Sequence, residues 1–212
     1  MKVLSRGLLI ALEGIDGSGK SSLAKTIFEQ FQQEEFPVLL TKEPGGSPLG
    51  TVLRPLLQEH TINRCPQAEF LLFAADRAQH FHEIIIPALH NKHIIISDRL
   101  ADSSLVYQGF GRGLSTTMLE SINTWAMQGI KPDITLYVKV NYETALERLL
   151  KRNKKLTTFE QDQHFFKKLH EGFETLFAHR PDVITLHGHQ SMIDVHEQAV
   201  TALWDWIKKH AS

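Results

Sequence analysis

The sequence predicts an α/β fold in which helices cover both faces of a parallel β-sheet. Apolar runs of strand length alternate along the chain with longer segments whose apolar residues have helical spacing. Each apolar run is nearly continuous, as in strands that are buried on both faces of a parallel sheet. This alternation requires right-handed crossover connections, which place ligand sites at the carboxyl ends of the strands.

Five apolar runs are predicted to be strands, at residues 7–12, 37–40, 93–96, 134–138 and 183–186. Helical spacing predicts helices at residues 22–33, 65–90, 116–127, 142–152, 160–178 and 191–210. No repeat, low-complexity tract or linker interrupts the alternation, so residues 1–212 are expected to form one domain.

The composition narrows the class of protein. The 212 residues are 42% hydrophobic, with 23 Lys and Arg against 24 Asp and Glu, which is typical of a globular domain with a sizeable core. The net charge of −1 provides no electrostatic basis for nonspecific binding to nucleic acids or membrane surfaces. The first apolar stretch, 8–12, is too short to cross a bilayer, and the single Cys65 cannot form an intramolecular disulfide. We therefore expect a cytoplasmic protein with no nucleic-acid or membrane partner.

A glycine-rich loop follows the first predicted strand. Residues 14–21 match the pattern GxxxxGK followed by Ser or Thr, and a helical pattern begins at once. Glycines allow backbone N–H groups to surround phosphate oxygens, while the helix N-terminus adds positive potential. We expect Lys20 to reach the outer phosphates and Ser21 to coordinate Mg²⁺. The alternative is a glycine-rich turn that only joins the strand to the helix, but Lys20 and Ser21 would have no packing role in such a turn. The predicted nucleotide-binding residues are Gly14, Ile15, Asp16, Gly17, Ser18, Gly19, Lys20, Ser21 and Ser22.

Charged residues stand at the ends of two further predicted strands. Asp98 and Arg99 follow the third strand, where a carboxylate can hold a Mg²⁺ water and a guanidinium can bind phosphate through two hydrogen bonds. A surface ion pair or a helix N-cap formed by Asp98 is the alternative. After the second strand, Lys42 precedes a turn rich in Gly and Pro at 43–48, and it would face the same cleft to meet a second anion. A simple turn is the alternative there.

The long helix predicted at 65–90 carries a cation among apolar residues. Phe70, Phe73, Ala74 and Arg77 share one face, and Phe70 is expected in the core. Because an unpaired buried guanidinium is costly, either Phe73 and Arg77 face a ligand pocket or Arg77 forms a buried ion pair. Further along, residues 103–113 mix hydrogen-bonding side chains with glycines and are predicted to form a polar loop.

Basic residues cluster from Arg148 to Lys155, at the end of a predicted helix. A solvated helix C-terminus favoured by the helix dipole is one interpretation. A mobile lid that brings cations over a transferring phosphate is the other. The twelve histidines contain no HExxH pattern, so no zinc site is expected.

Together these segments resemble bacterial thymidylate kinase, from the first strand to nearly the last helix. The matching segments are the glycine-rich loop 14–21, KEPGG at 42–46, LFAADR at 72–77, DR at 98–99, YQG at 107–109 with GRG at 111–113, and KPDITL at 131–136. The resemblance implies the P-loop NTPase fold with a five-stranded parallel sheet, a short lid at about 148–160 and a homodimer. It also implies Mg²⁺-assisted, ATP-dependent phosphorylation of dTMP to dTDP in dTTP synthesis.

The resemblance further implies roles for individual residues. The residues implied in catalysis are Asp16, Lys20, Arg99 and Arg152. Those implied in substrate binding are Asp16, Lys42, Phe73, Arg77, Arg99, Ser104, Tyr107 and Gln108, and those implied at the metal are Ser21 and Asp98. Lys42 and Arg99 would bind the acceptor phosphate, and Asp16 would contact the sugar hydroxyl and the metal region. Phe73 would stack on thymine and Arg77 would bond its carbonyl edge, with Ser104, Tyr107 and Gln108 completing the base pocket.

The sequence departs from the family pattern at several positions. Gly17 stands where some relatives have Arg, which implies that the catalytic cation comes from the lid, with Arg152 the best candidate and Lys154 or Lys155 assisting. Other departures are Lys42 in place of Arg, Leu100 in place of an aromatic residue or His, Lys139 in place of an acidic residue, and Thr157-Thr158 before Phe159-Glu160.

Other functions stay open from the sequence alone. Another small P-loop kinase, acting on a different nucleoside monophosphate or a deoxynucleoside, would share the phosphate chemistry and differ in the acceptor pocket. A nucleotide-dependent switch or binding module would transfer no group, although the guanine-specific NKxD motif of such switches does not occur. A related scaffold without catalytic activity is the third alternative, because the lid departs most from the family pattern.

Overall fold

The computed structural model describes residue 2 and residues 4–58, 62–151 and 163–210, the side chain of residue 210 excepted. The strands are β1 (Leu8–Glu13), β2 (Val38–Lys42), β3 (Ile94–Asp98), β4 (Ile134–Lys139) and β5 (Val183–His187). They form one five-stranded sheet in the order β2-β3-β1-β4-β5, and every pairing is parallel. The predicted fold class is therefore confirmed.

The helices are α1 (Lys20–Gln33), α2 (Pro48–Gln58), α3 (Pro66–His80), α4 (Ile86–His90), α5 (Ala101–Ser104), α6 (Thr116–Ala126), α7 (Tyr142–Lys151), α8 (Gln163–Phe177) and α9 (Met192–His210). Two π-helical turns, Phe81–Ile85 and Leu105–Gly111, join α3 to α4 and extend α5. Among the described residues, no helix combines the length and apolar character needed to cross a membrane.

The central strand β1 separates two layers of core. Leu8, Ile10 and Leu12 pack with apolar residues of α1 and α9 on one face of the sheet. Leu9 and Ala11 pack on the other face with residues of the first π-helical turn. Successive side chains of a strand point to opposite faces, so a strand covered on both sides must be apolar at every position. The continuous apolar run that predicted β1 has this cause.

The strand register brings three chain segments together at one sheet edge. Asp98 at the end of β3 lies opposite Leu12 of β1 and Lys42 of β2. The loop that follows β1 and the turn that follows β2 therefore open at the same edge as Asp98 and Arg99. This is the carboxyl edge, where parallel α/β sheets bind ligands.

The predicted helix at 65–90 is interrupted. The structure contains α3, a π-helical turn and α4, with Pro87 in the first turn of α4. Proline has no N–H to donate to the preceding turn and its ring crowds the carbonyl four residues earlier, so regular α-helical bonding cannot continue through this point. Phe81 and Ile85 of the π-helical turn are fully buried beneath the sheet.

Two segments for which the sequence predicted no helix are helical. Residues 48–58, which follow the predicted turn, form α2 even though the helix contains Pro55 and Gly50. The polar loop predicted at 103–113 is wrong, because α5 and the second π-helical turn occupy most of it. Gly111 permits close packing, since a Cβ atom on it would lie 2.7 Å from the Phe165 ring.

Candidate active site

The glycine-rich loop connects β1 to α1 at the carboxyl edge of the sheet. Gly14, Gly17 and Gly19 have φ angles of 143°, 80° and 101°, a region that residues with a Cβ atom rarely adopt. A Cβ atom on Gly17 would also lie 2.4 Å from the carbonyl oxygen of Ala145. No side chain caps the N-terminus of α1, which begins at Lys20. The loop geometry thus requires the glycines that the motif contains.

A cavity of about 360 Å³ lies over this loop. It is lined by residues 16–23 together with Val138, Arg148, Gly188, Gln190, Met192 and Val195. Arg148 of α7 spans it, donating to the carbonyl oxygens of Ser18 at 2.9 Å and Gly188 at 2.6 Å. The volume lies in the range of small-molecule and cofactor sites.

Lys20 is buried under the loop that precedes it. Its Nζ donates to the carbonyl oxygen of Ile15 at 2.9 Å and lies 3.5 Å from the Ser18 hydroxyl. Burial and the nearby Arg99 guanidinium lower the pKa of Lys20 to about 8, although the carboxylates of Asp16 and Asp98 oppose this shift. The ammonium is therefore mostly protonated at neutral pH and lies where loop phosphates would bind.

Ser21 and Asp98 lie in direct contact across the cleft. The Ser21 hydroxyl donates to Oδ2 of Asp98 at 2.5 Å. A hydroxyl and a carboxylate are the oxygen ligands that Mg²⁺ accepts, and Mg²⁺ usually takes one or two such protein ligands together with phosphates and water. No group of three or more His, Cys, Asp or Glu side chains with metal-site spacing occurs within the described ranges. The donor set thus fits a Mg²⁺ ion held jointly with a nucleotide.

Asp16, Arg99 and Tyr107 form one hydrogen-bonded cluster. Nη2 of Arg99 donates to Oδ1 of Asp16 at 2.5 Å and to the Tyr107 hydroxyl at 3.1 Å, and that hydroxyl donates to Oδ2 of Asp16 at 2.9 Å. Burial alone would raise the pKa of Asp16, but Arg99 and Lys20 lower it well below its usual value. Burial also raises the pKa of the Tyr107 hydroxyl, so it stays protonated as a donor.

Arg77 lies in a buried polar network. Only 1% of it is exposed, and Nε donates to Glu43 at 2.8 Å while Nη1 donates to Oδ1 of Asn123 at 2.6 Å. Nη2 donates to the Ser104 hydroxyl and to the carbonyl oxygen of Leu100, both at 3.2 Å. A buried ion pair was one of the two interpretations of Arg77 in the sequence. The structure contains this ion pair, and the partner of Arg77 is Glu43.

The chain is similar to known proteins in sequence and in fold. The thymidylate kinase family model matches residues 12–199. The thymidylate kinase of Caldanaerobacter subterraneus subsp. tengcongensis is 38% identical over 205 residues, covering 96% of this chain and 98% of that protein, and that of Kosmotoga olearia is 35% identical over 203 residues, covering 95% and 98%. The crystal structure of thymidylate kinase from Ehrlichia chaffeensis is similar with a TM-score of 0.76 and 29% identity, covering 93% of this chain and 99% of that one. The chain belongs to the thymidylate kinase family.

Thymidylate kinases are nucleoside monophosphate kinases with the P-loop fold, and they phosphorylate dTMP to dTDP with ATP. Gln108, Phe73 and Lys42 are three further residues predicted for the thymidylate kinase site. Gln108 is buried and its Nε2 donates to Oε1 of Glu69 at 2.8 Å. Phe73 is half-buried, while Phe70 on the same helix belongs to a core cluster as expected. Lys42 is exposed at the end of β2.

The turn after β2 is held by buried polar residues that the sequence did not single out. Glu43 accepts from Arg77 and lies 3.1 Å from Nδ1 of His80, while the backbone N–H of Gly45 donates to Asp76 at 3.2 Å. Burial would raise the pKa of Glu43, but Arg77 lowers it below its usual value. Burial and the charge on Glu43 raise the pKa of Asp76 to about 6.

Arg54 is a further cation near this edge that sequence analysis missed. Its Nη1 donates to the carbonyl oxygen of Pro44, and its charge acts on Asp98 and Asp76. The prolines and glycine in the segment concealed α2, and therefore concealed Arg54 on it. Two basic residues, Arg54 and Arg148, are thus added to the predicted thymidylate kinase site.

Lys139, where thymidylate kinases usually have an acidic residue, is paired with a carboxylate from another element. Its Nζ donates to Glu174 of α8, and the Tyr137 hydroxyl donates to the same carboxylate at 2.9 Å. A carboxylate therefore lies near this strand end although the strand residue is basic.

The lid of the thymidylate kinase pattern lies largely outside the described residues. α7 ends at Lys151 in the described part of the chain, and Arg152, Lys154, Lys155, Thr157 and Thr158 fall beyond it. The assignment of Arg152 as the lid cation stays a prediction.

Proposed function

We propose that this chain transfers the γ-phosphoryl group of ATP to the phosphate of dTMP at the carboxyl edge of its sheet, in the route to dTTP. The observation that carries the proposal is the junction of two sites. The glycine-rich loop with Lys20 provides a phosphate site, and the cluster of Asp16, Arg99 and Tyr107 lies directly beside it. A donor and an acceptor phosphate bound to these two sites would be neighbours, which is the main requirement of phosphoryl transfer.

On the donor side, Lys20 neutralises charge that develops on the transferring phosphates. Residues 14–22 surround those phosphates through backbone N–H groups. Arg148 connects the loop to Gly188 and lines the cavity, in which the nucleoside of ATP would lie.

On the acceptor side, Arg99 binds the dTMP phosphate, with Lys42 as a second cation at the same edge. Asp16 accepts from the sugar hydroxyl and keeps Arg99 oriented in its absence. Phe73 stacks on the thymine ring, and Arg77, Ser104 and Gln108 form the polar wall of the base pocket. Buried polar groups of this kind discriminate strongly against bases that leave them unpaired.

Ser21 and Asp98 are the residues proposed to hold Mg²⁺, through the hydroxyl oxygen and through the carboxylate or a bound water. When bound there, Mg²⁺ would supply positive charge that neutralises the donor phosphates. The role of the protein is to keep the two oxygen ligands within contact of each other beneath the loop.

The experiment is a coupled ADP-release assay on the purified chain with ATP, Mg²⁺ and one of dTMP, dUMP, dCMP, AMP or no acceptor. We expect dTMP-dependent turnover that exceeds turnover with dCMP and AMP. Clear turnover with another monophosphate and none with dTMP would overturn the substrate. Turnover with none of the acceptors would support a scaffold without catalytic activity.

A homodimer is the proposed assembly, because exposed apolar side chains gather on neighbouring helices. Val52 of α2, Leu71 of α3, and Met118 and Trp125 of α6 are 67%, 55%, 62% and 79% exposed. α3 packs against both α2 and α6, so these side chains belong to one helical layer. Exposed apolar patches of this kind mark interfaces, and a second copy of the chain would cover them.

We also propose a reducing compartment, the cytoplasm, as the location. The Cys65 thiol is free and exposed, and exposed free thiols persist where the redox environment keeps them reduced. Fractionation of the source cells with a tagged chain tests this.

A further inference from the structure

Glu13 is a buried carboxylate that has no role in the phosphate-loop chemistry proposed above. It is the last residue of β1, immediately before the glycine-rich loop, and it is fully buried. Its Oε1 accepts from the backbone N–H groups of Leu100 at 2.9 Å and Ser103 at 3.3 Å. Its Oε2 accepts from the Ser103 hydroxyl at 2.5 Å. A buried carboxylate needs such donors, and all three come from the segment that follows Arg99.

Arg99 is held in an uncommon conformation by these contacts. Its φ angle is 74°, in the left-handed region that residues other than Gly, Asn and Asp seldom occupy. Its N–H donates to the carbonyl oxygen of Leu12 at 3.0 Å, and the next N–H, that of Leu100, donates to Glu13. Backbone bonds to the end of β1 therefore fix Arg99 on both sides.

The side chain of Arg99 is connected to the same carboxylate. Its Nη1 donates to the Ser103 hydroxyl oxygen at 2.8 Å, and that hydroxyl donates its own hydrogen to Glu13. The carboxylate thus determines the direction of the Ser103 hydroxyl and leaves its lone pairs to accept from Arg99. Nη2 of Arg99 donates to Asp16, and Nη1 also donates to the carbonyl oxygen of Gly14 at 3.1 Å. The guanidinium is therefore held between Asp16, Gly14 and the Ser103 hydroxyl that Glu13 orients.

We propose that Glu13 is a positioning residue for Arg99, and that its anionic form aims the guanidinium at the acceptor phosphate through the Ser103 hydroxyl and the Leu100 amide. The inference rests on the proposed contact between Arg99 and the dTMP phosphate. A neutral Glu13 carries a hydrogen of its own, so it no longer accepts both from the Ser103 hydroxyl and from the two amides with the same geometry.

Because of its burial and the charges around it, the ionisation state of Glu13 changes near neutral pH. Burial and the Asp102 carboxylate raise its pKa to about 7, whereas Arg99, the Ser103 hydroxyl and the Leu100 amide oppose the shift. Lys20 of α1 also faces it electrostatically, and Arg180 pairs with Asp102 at 2.8 Å behind it. Tyr137, opposite Glu13 on β4, directs its hydroxyl to Glu174 instead.

The test is steady-state kinetics of Glu13→Gln between pH 6 and 8. A Gln side chain imitates the neutral acid, so the KM for dTMP at pH 8 should rise about tenfold or more, the scale of a lost hydrogen bond to a charged group. The KM for ATP should stay within about twofold, since Lys20 and the loop are unchanged. The ratio of the two dTMP KM values, variant over wild type, should fall toward one as the pH decreases to 6, because Glu13 of the wild type then becomes neutral. The titration of dTMP itself is common to both proteins and cancels in this ratio.

Two further variants separate positioning from folding. Ser103→Ala removes the connection while leaving Glu13 in place, and it should reproduce the increase in dTMP KM. Asp133→Asn is the matched control: this partly buried carboxylate accepts from the Leu9 N–H at 2.8 Å at the opposite end of β1, and its loss should leave both KM values unchanged. An unchanged dTMP KM in both Glu13→Gln and Ser103→Ala would overturn the proposal.

A double-mutant cycle with Arg99→Ala decides whether Glu13 acts through Arg99. In the Arg99→Ala background, Glu13→Gln should change the dTMP KM by less than about twofold, because the group that it positions is gone. A full effect in that background would refute the proposal while leaving the role of Arg99 intact. If Arg99→Ala by itself leaves the dTMP KM unchanged, the proposed acceptor contact of Arg99 fails, which is a different result.

Discussion

At the scale of single residues, the cations of the active site are positioned in two ways: one by a local sequence motif, the others by ion pairs with carboxylates. Lys20 follows the glycine-rich loop and reaches back to Ile15, so its position is local. Arg99 and Arg77 are each held by carboxylates distant in sequence, Asp16 and Glu43. The consequences of removing these cations therefore differ.

Replacing Lys20 by Ala should abolish phosphoryl transfer while the fold persists. The ammonium stabilises charge on the transferring phosphates, and removing such a group typically costs about a hundredfold or more in kcat. The ADP-release assay and far-UV circular dichroism measure the two properties. A well-folded Lys20→Ala protein with activity near that of the wild type would refute the loop assignment.

Replacing Arg77 by Ala should affect both stability and dTMP binding. It leaves Glu43 buried without its guanidinium partner, and breaking a buried ion pair in this way costs about 3–5 kcal/mol. We also expect the dTMP KM to rise far more than the ATP KM. Urea unfolding and steady-state kinetics measure the two effects.

The matched control for Arg77 is Asn123→Ala, which removes a neutral partner of Arg77 and retains the cation. It should destabilise the protein less than Arg77→Ala does. Destabilisation by Arg77→Ala without a selective increase in the dTMP KM would show that Arg77 is a structural cation only.

At the scale of secondary-structure elements, α7 separates two kinds of basic residue. Arg148 is anchored to the loop and to Gly188 by two hydrogen bonds, so its role is to connect the phosphate loop to the segment after β5. The basic residues that follow α7 lie outside the described residues and stay the predicted source of the lid cation.

The lid prediction concerns Arg152. Because Gly17 supplies no cation in the loop, neutralising the transferring phosphoryl group needs a further guanidinium, which in this chemistry contributes about a thousandfold or more in rate. Arg152→Ala should therefore lower kcat much more than it weakens ATP binding. Arg152→Lys should restore only part of the loss, because an ammonium does not bridge two phosphate oxygens in the same plane.

Alanine variants of Arg148, Lys154 and Lys155 provide the comparison for Arg152. An unchanged kcat for Arg152→Ala, with the loss at Lys154 or Lys155 instead, would show that the lid register is shifted. Loss of ATP binding is expected for Arg148→Ala, since it lines the cavity.

At the scale of the whole molecule, buried carboxyl groups make stability depend on pH. Burial raises the pKa of Glu13 from 4.5 to about 7 and that of Asp76 from 3.8 to about 6. A group whose pKa is raised by folding binds its proton more tightly in the folded state, so stability falls as pH rises between the two values. The lowered pKa of Asp16 has the opposite effect on the pH dependence of stability, but this effect is confined to pH values below about 4.

Glu13→Gln should remove one of these contributions. The unfolding free energy of the wild type relative to the variant should fall by up to about 3 kcal/mol between pH 4.5 and 7, from about 1.4 kcal/mol per pKa unit. Urea unfolding at a series of pH values measures it. A Glu13→Gln curve that runs parallel to the wild-type curve would contradict the assignment.

The proposed homodimer is a further property of the whole molecule. Trp125→Glu should shift the chain from dimer to monomer, because a charge placed at the centre of an apolar interface must be desolvated. Light scattering after size-exclusion chromatography measures the mass. Ile193→Glu, at a 69% exposed residue of α9 on the other face of the sheet, is the matched control and should stay dimeric. A monomeric wild type would contradict the prediction.

The strands and the phosphate loop could be predicted from local sequence patterns. Residues 7–12 and 134–138 were placed within about one residue of β1 and β4, because burial on both faces leaves a continuous apolar run. Residues 14–21 could be assigned because glycine spacing and a strand-loop-helix order are local features. α2 and the second π-helical turn were missed, since their Pro and Gly residues are typical of turns and are tolerated here by packing against neighbouring elements.

The contacts between polar side chains depend instead on how the chain folds. Glu13 is separated by 90 positions from Ser103, and Arg77 by 46 from Asn123, yet each pair is in hydrogen-bond contact. These contacts depend on the strand order and on the register that aligns Leu12, Asp98 and Lys42 at one edge. No local pattern encodes that alignment, because strand pairing joins segments that are distant along the chain. The direction in which Arg99 points is therefore a property of the folded sheet, whereas the phosphate loop beside it is a property of eight consecutive residues.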